Sequence, residues 1–175
     1  MNISNNFFEI FSLQQDFDLD TEALTAQYKK LQSQSHPDRF SGADDASRLQ
    51  ALQQSSIIND AFETLKSPVK RAAYLLSLNG IDPEEHNQSH LSAALLMQQM
   101  EWRDELESAT GDEDMDTLER LKQEVETEKK VSIDEFRKTI KANDFTAGKA
   151  VYHKLQFVEK MLSEINHAEE KILDY

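Results

Sequence analysis

No cysteine occurs among the 175 residues, so disulfides, thiolate zinc clusters and a thiol nucleophile are excluded, and a reducing compartment suits the chain. Turn-forming residues are nearly as scarce. Four glycines and three prolines cannot punctuate a many-stranded sheet, which leaves an all-α fold as the expectation. No run approaches the ~18 apolar residues of a membrane span, and the first six residues lack the basic and apolar regions of a secretory signal. The expected location is therefore cytoplasmic. Positive charge is the other shortage. Residues 1–75 hold 7 Lys and Arg against 10 Asp and Glu, and residues 76–175 hold 12 against 23, so the two parts carry −3 and −11. An acidic second part repels phosphate backbones, which disfavours nucleic acid and favours a protein partner with basic patches.

What is present is helical periodicity. After an apolar cluster of Phe7, Phe8, Phe11 and Leu13, Asp18 and Asp20 supply cap oxygens for a helix starting near Thr21. Leu24, Tyr28 and Leu31 make its buried stripe, while Lys29 and Lys30 fall on the solvent side. Pro37 stops this helix before His36, because the proline ring disfavours helical geometry in the residue ahead of it. A second long helix is predicted to turn Leu49, Leu52, Ser56, Ile58, Phe62 and Leu65 toward the first, giving an antiparallel hairpin. Ser67 and Pro68 open a short third helix that ends at Gly80.

The stretch from Asp82 to Ser89 has the composition of a linker. Beyond it, breaks at Thr110-Gly111-Asp112 and Ala142-Asn143-Asp144 divide the chain into three helical segments. The middle one repeats Leu118, Leu121, Val125, Ile133, Phe136 and Ile140; the last repeats Val151, Leu155, Val158, Leu162, Ile165 and Ile172. These spacings close most simply as a three-helix bundle. The expected division is 1–76 for the first domain, 77–90 for the end of its last helix and the linker, and 91–175 for the bundle.

The sharpest local signal is His36-Pro37-Asp38, set in a loop beside a basic helix face. In that context residues 27–39 resemble the second helix and loop of a J-domain, and residues 58–65 resemble its third helix. The chain as a whole resembles the HscB family of iron–sulfur co-chaperones. Further points of likeness are residues 75–80 (LLSLNG), Leu96-Met97, Arg103-Asp104-Glu105-Leu106 and the terminal residues 170–175 (EKILDY). Ser35 departs from the pattern, since J-domains carry an aromatic before the loop. The metal-binding cysteines of eukaryotic relatives are also missing, which fits a bacterial type.

The resemblance implies a J-domain followed by a client-binding bundle, with no catalytic group, cofactor or metal. It implies two partners, an HscA-type heat-shock chaperone of the seventy-kilodalton class and an IscU-type cluster scaffold. By carry-over His36, Pro37 and Asp38 trigger the chaperone's ATPase, and Lys29, Lys30 and Arg39 supply electrostatic docking. A J-protein serving a different client is the competing expectation.

The client face can also be argued from periodicity. At about 100° per residue, Leu91, Leu95, Trp102, Leu106 and Ala109 form one core stripe, which leaves Leu96, Met97 and Met100 on the roughly opposite face beside Glu101 and Asp104. In the last helix Phe157 and Met161 lie away from the stripe through Leu155, Val158 and Leu162. Adaptable methionines inside an acidic rim suit a protein-binding patch. The same positions match those that the family uses for the scaffold, so the candidate client site is Leu96, Met97, Met100, Glu101, Asp104 and Phe157.

Other patterns carry less. His86 and His90 are spaced i, i+4 beside Glu84 and Glu85 but read as solvated linker, and His153 and His167, without neighbouring acids or thiols at ligand spacing, read as helix-surface residues. Residues 112–123 begin like a calcium loop, yet Thr117 stands at the sixth position in place of Gly and Gln123 at the twelfth in place of Glu. A hydrolase built on His36 and Asp38 has neither a neighbouring nucleophile nor a glycine-rich oxyanion loop.

Overall fold

The computed structural model describes residues 6–35, 42, 44–85 and 93–173. Among them the chain is all-α, with no strand, in the order α1 (Phe7–Ile10), α2 (Thr21–Ser35), α3 (Asp45–Lys66), α4 (Pro68–Leu78), α5 (Ala93–Gly111), α6 (Met115–Lys141) and α7 (Phe145–Leu173). The chain forms two compact units that meet in sequence between Leu75 and Leu76.

In the first unit α2 and α3 make the hairpin. Asp20 starts α2 by accepting from the backbone N–H of Glu22 and Ala23, and Asp44 starts α3 by accepting from Ser47. Phe8, Phe11, Phe17, Leu24, Ala51, Ile58, Ala61, Phe62, Leu65, Ala72 and Leu75 are buried. Across the hairpin the rings of Tyr28 and Phe62 stack with centroids 3.9 Å apart, and the Tyr28 hydroxyl donates to Asn59 Oδ1 at 3.0 Å.

The α3 face is not the predicted one throughout. Leu49 and Leu52 are 58% and 53% exposed, and Ser56 is exposed as well; the buried register runs Ala51, Ile58, Ala61, Phe62, Leu65. The angle around the helix explains this: at about 100° per residue Leu49, Leu52 and Ser56 lie roughly 120–180° from Ile58, whereas Ala51, Phe62 and Leu65 lie within about 40° of it.

Arg71 of α4 is buried in this unit, donating from Nη1 to the Leu65 carbonyl at 2.6 Å with its guanidinium 5.1 Å from the Phe17 ring centre. Burial lowers its pKa, and nearby Asp18 works in the opposite sense.

The second unit is the three-helix bundle of α5, α6 and α7. Trp102, Leu121, Val125, Val158, Met161 and Ile165 form its main core, and Ala109, Leu118 and Ala168 continue it toward the α5–α6 turn. Met161 thus corrects the sequence reading: it is fully buried, and Leu162 takes the half-buried edge. The reason is that α7 packs on both α5 and α6, so its apolar arc is wider than a single stripe. Leu95 and Leu106 are half-buried, Leu91 lies outside the described residues, and Ser132 is buried within α6.

The turns carry a shared device. Gly80 ends α4 at φ +78°, with Ile81 N–H donating to the Leu76 carbonyl. Glu113 and Asn143 adopt φ 54° and 56° after α5 and α6, where Asp114 and Asp144 N–H reach back to the carbonyls of Ala109 and Thr139. The left-handed residue of the α5–α6 turn is therefore Glu113, while Gly111 is the last residue of α5.

Residues 81–85, read as linker, are fastened to α7. Pro83 is buried, Glu84 Oε1 accepts from the Tyr152 hydroxyl at 2.8 Å, and Glu85 pairs with Lys149 at 3.0 Å. Burial first and Glu84 second push the Tyr152 pKa well above its ordinary value, so its hydroxyl stays a donor.

Candidate functional site

In the first unit, Lys29 and Lys30 are exposed on α2. Lys29 lines an open groove with Thr21, Glu22, Thr25, Ala26 and Lys66. Lys66 is a cation that periodicity along α2 could not supply. It stands at the end of α3, and the antiparallel hairpin returns that end to the start of α2. Its ammonium also lies 5.4 Å from the Phe62 ring centre. His36, Pro37, Asp38 and Arg39 lie outside the described residues. The helices that bracket them are well defined: α2 ends at Ser35, whose buried hydroxyl donates to the Leu31 carbonyl at 2.9 Å, and α3 starts at the Asp44 cap.

In the second unit, α5 turns Trp102 and Ala109 inward and leaves Leu96, Met97 and Met100 at 44%, 62% and 65% exposure. Glu101 and Asp104 are exposed too, and positions 96, 97, 100, 101 and 104 follow one face of the helix. These five predicted residues are brought together by α5 alone.

Phe157 differs from them. It is half-buried, packs against the core, and stacks on Trp102 with ring centroids 6.0 Å apart and planes 8° from parallel. The Arg103 guanidinium stands 5.9 Å from its ring centre, and the Trp102 indole N–H donates to Glu124 Oε1 at 2.9 Å. Phe157 thus belongs partly to the core and partly to the surface.

Two further residues join the face. Arg103 reaches Phe157 from the α5 side. Lys154 lines a shallow groove with Ala94, Leu95, Met97, Gln98 and Glu101. Its ammonium pairs with Glu128 at 2.5 Å and Glu135 at 3.3 Å. Burial opposes that charge, but Glu128 and then Glu135 outweigh it and raise the Lys154 pKa. The i, i+3 relation of Lys154 to Phe157 was the available signal for it, because residues so spaced share a helix face.

No cluster of His, Cys, Asp and Glu able to hold a metal ion occurs among the described residues, and no described helix is long and apolar enough to cross a membrane. His153 Nδ1 lies 3.3 Å from Gln156 Oε1. His86 and His90 are outside the described residues.

Comparison with known proteins gives a consistent result. Residues 6–74 match the DnaJ domain, and residues 91–166 match the HSCB C-terminal oligomerisation domain. A co-chaperone protein HscB homologue of Burkholderia cenocepacia is 37% identical over 98% of both chains. One from Aeromonas salmonicida is 38% identical over 97% of this chain and 99% of its own. Among solved structures, chaperone HscB from Vibrio cholerae superposes with a TM-score of 0.86 at 37% identity, covering 96% of this chain and 99% of that one. Human co-chaperone HscB gives a TM-score of 0.90 at 25% identity, covering 95% of this chain and 83% of that one.

Proposed function

This chain belongs to the HscB family of J-domain co-chaperones, and from that premise we propose that it is a non-catalytic adaptor for iron–sulfur cluster assembly. It binds an IscU-type scaffold through its bundle and hands that client to an HscA-type heat-shock chaperone of the seventy-kilodalton class. The first unit stimulates the chaperone's ATPase.

The observation that carries this reading is the exposed stripe of Leu96, Met97 and Met100 on α5 beside Glu101 and Asp104. Exposed side chains of this size on a helix whose other face fills a core cost solubility unless something covers them. Methionines adapt to a partner's contour, and the two carboxylates favour a basic surface around the contact. Phe157, held by Trp102, offers an aromatic edge that is already ordered, so little side-chain entropy is lost on docking.

The chaperone side rests on Lys29, Lys30 and Arg39 for attraction and on His36, Pro37 and Asp38 as the trigger. Lys66 adds to the positive face through its groove with Lys29. All of these act on the partner's conformation, and ATP hydrolysis stays with the partner's own groups.

The decisive experiment is a calorimetric titration of purified scaffold into wild type and into a Leu96→Ala, Met100→Ala, Phe157→Ala variant shown by circular dichroism to be folded. Binding by wild type that the folded variant loses supports the reading. A scaffold that binds neither protein, in apo or cluster-loaded form, sinks it and leaves a J-protein with another client.

A further inference from the structure

The exposed stripe does not end at the edge of α5. Met97 and Glu101 belong both to it and to the groove whose other lining residues are Ala94, Leu95 and Gln98 of α5 and Lys154 of α7. The stripe and the groove are thus one continuous surface, with Phe157 one helical turn beyond Lys154 on α7.

The chemistry of the groove follows from how Lys154 is held. Its ammonium is engaged by Glu128 and Glu135 of α6, and its side chain is only 19% exposed. What it gives the groove is therefore chiefly its four-carbon stem. With Ala94, Leu95 and Met97 the lining is apolar on several sides. Among the described lining residues Glu101 adds the one carboxylate, and Glu128 and Glu135 together outweigh the single Lys154 charge behind it.

Resting on the client-binding reading above, we propose that the scaffold contact extends into this groove. It takes one long apolar side chain of the scaffold there, with a neighbouring lysine or arginine set against Glu101. Ala94, Gln98 and Lys154 are then further client-contact residues. The occupant is argued from continuity with the α5 stripe, the apolar lining and the local negative balance. A second copy of this chain fits poorly, because it would bring Glu101 and Asp104 of two copies together at an already acidic surface.

The test fills the groove without touching the stripe. Ala94 is exposed, so Ala94→Trp adds bulk to the groove and leaves the core alone. Gln98→Trp, at a half-buried position, adds bulk to the groove from the next turn, and Thr127→Trp, at an exposed position on α6, controls for adding an indole to the surface. Each variant is checked by circular dichroism and titrated with purified apo scaffold in a calorimeter.

The expected result is wild-type affinity for Thr127→Trp and a loss of about tenfold or more for Ala94→Trp and Gln98→Trp, a fold-change worth about 1.4 kcal/mol. Wild-type affinity in both groove variants overturns the inference and leaves the stripe reading intact. Absence of binding by wild type overturns the stripe reading, and the groove proposal with it.

Discussion

Phe157 stacks on Trp102 at 6.0 Å, with the two planes only 8° from parallel, which couples a surface ring of α7 to the sole tryptophan of the chain in the core of the bundle. Trp102 therefore reports on the proposed client face without a label. Docking of a client against Phe157 is expected to change Trp102 emission, and Phe157→Ala to shift the free protein's emission toward that of a more hydrated indole. A titration in which emission stays constant while calorimetry records binding would place the client elsewhere.

Three methionines fall within the two helices that build this face, and they divide sharply. Met161 is fully buried, whereas Met97 and Met100 are mostly exposed. Met161→Ala is expected to cost about 2–5 kcal/mol, the usual range for truncating a buried methionine, while Met97→Ala and Met100→Ala change stability by less than about 0.5 kcal/mol. Urea unfolding of the three single variants tests this, and equal midpoints would mean that Met161 is not in the core.

Gly148 lies where α7 comes close to its neighbours. A Cβ there would stand 3.1 Å from Thr139 Oγ1, 3.4 Å from Leu76 Cδ2 and 3.7 Å from Phe136 Cε2. Gly148→Val is expected to destabilise the protein by about 1–3 kcal/mol through overpacking, despite the gain in helix propensity. A thermal midpoint at or above that of wild type would contradict the close approach.

Glu113 presents the opposite case. It holds φ 54°, a left-handed conformation that costs an L side chain about 1–2 kcal/mol and glycine almost nothing. Glu113→Gly should raise stability by up to about 1 kcal/mol, since the glycine also loses more freedom on folding. Chemical denaturation of the pair decides the sign.

Acid should loosen the helix starts. Asp44 and Asp114 accept hydrogen bonds from Ser47 and Thr117, from the side chain first and the backbone second, and both carboxyl pKa values are lowered from 3.8. A folded pKa below the unfolded one means that their stabilisation is fully present above pH 3.8 and fades as pH falls through the folded value. Asp114→Asn, which keeps a cap acceptor but cannot titrate, should therefore show a shallower loss of stability below pH 3.8 than wild type. Parallel acid limbs in the two proteins would rule out a contribution from Asp114.

Much of this molecule could be read from the chain alone. Scarce glycine and proline, together with periodic apolar residues, were enough for an all-α chain. The cap at Asp20, the Pro68 start, the Gly80 stop and the two breaks near Gly111 and Asn143 placed most of the helices, because each is a local backbone event set by neighbouring residues. On α5 one helix face sufficed to separate Trp102 from Met97 and Met100, since a helix that packs on one side obeys a simple 100° rule.

Where a side chain's neighbours come from other helices, local rules gave no answer. Met161 looked like a companion of Phe157 until α7 was seen to pack on two helices at once, which widens its buried arc. Which stripe of α3 turns inward, through Ala51, Ile58, Phe62 and Leu65 and away from Leu49 and Leu52, was fixed by the helices packed against it. Arg103 over Phe157, Lys154 between Glu128 and Glu135, and Lys66 beside Lys29 all join residues far apart in sequence. Periodicity tells which way a residue faces on its own helix; only the packing of helices decides what it meets there.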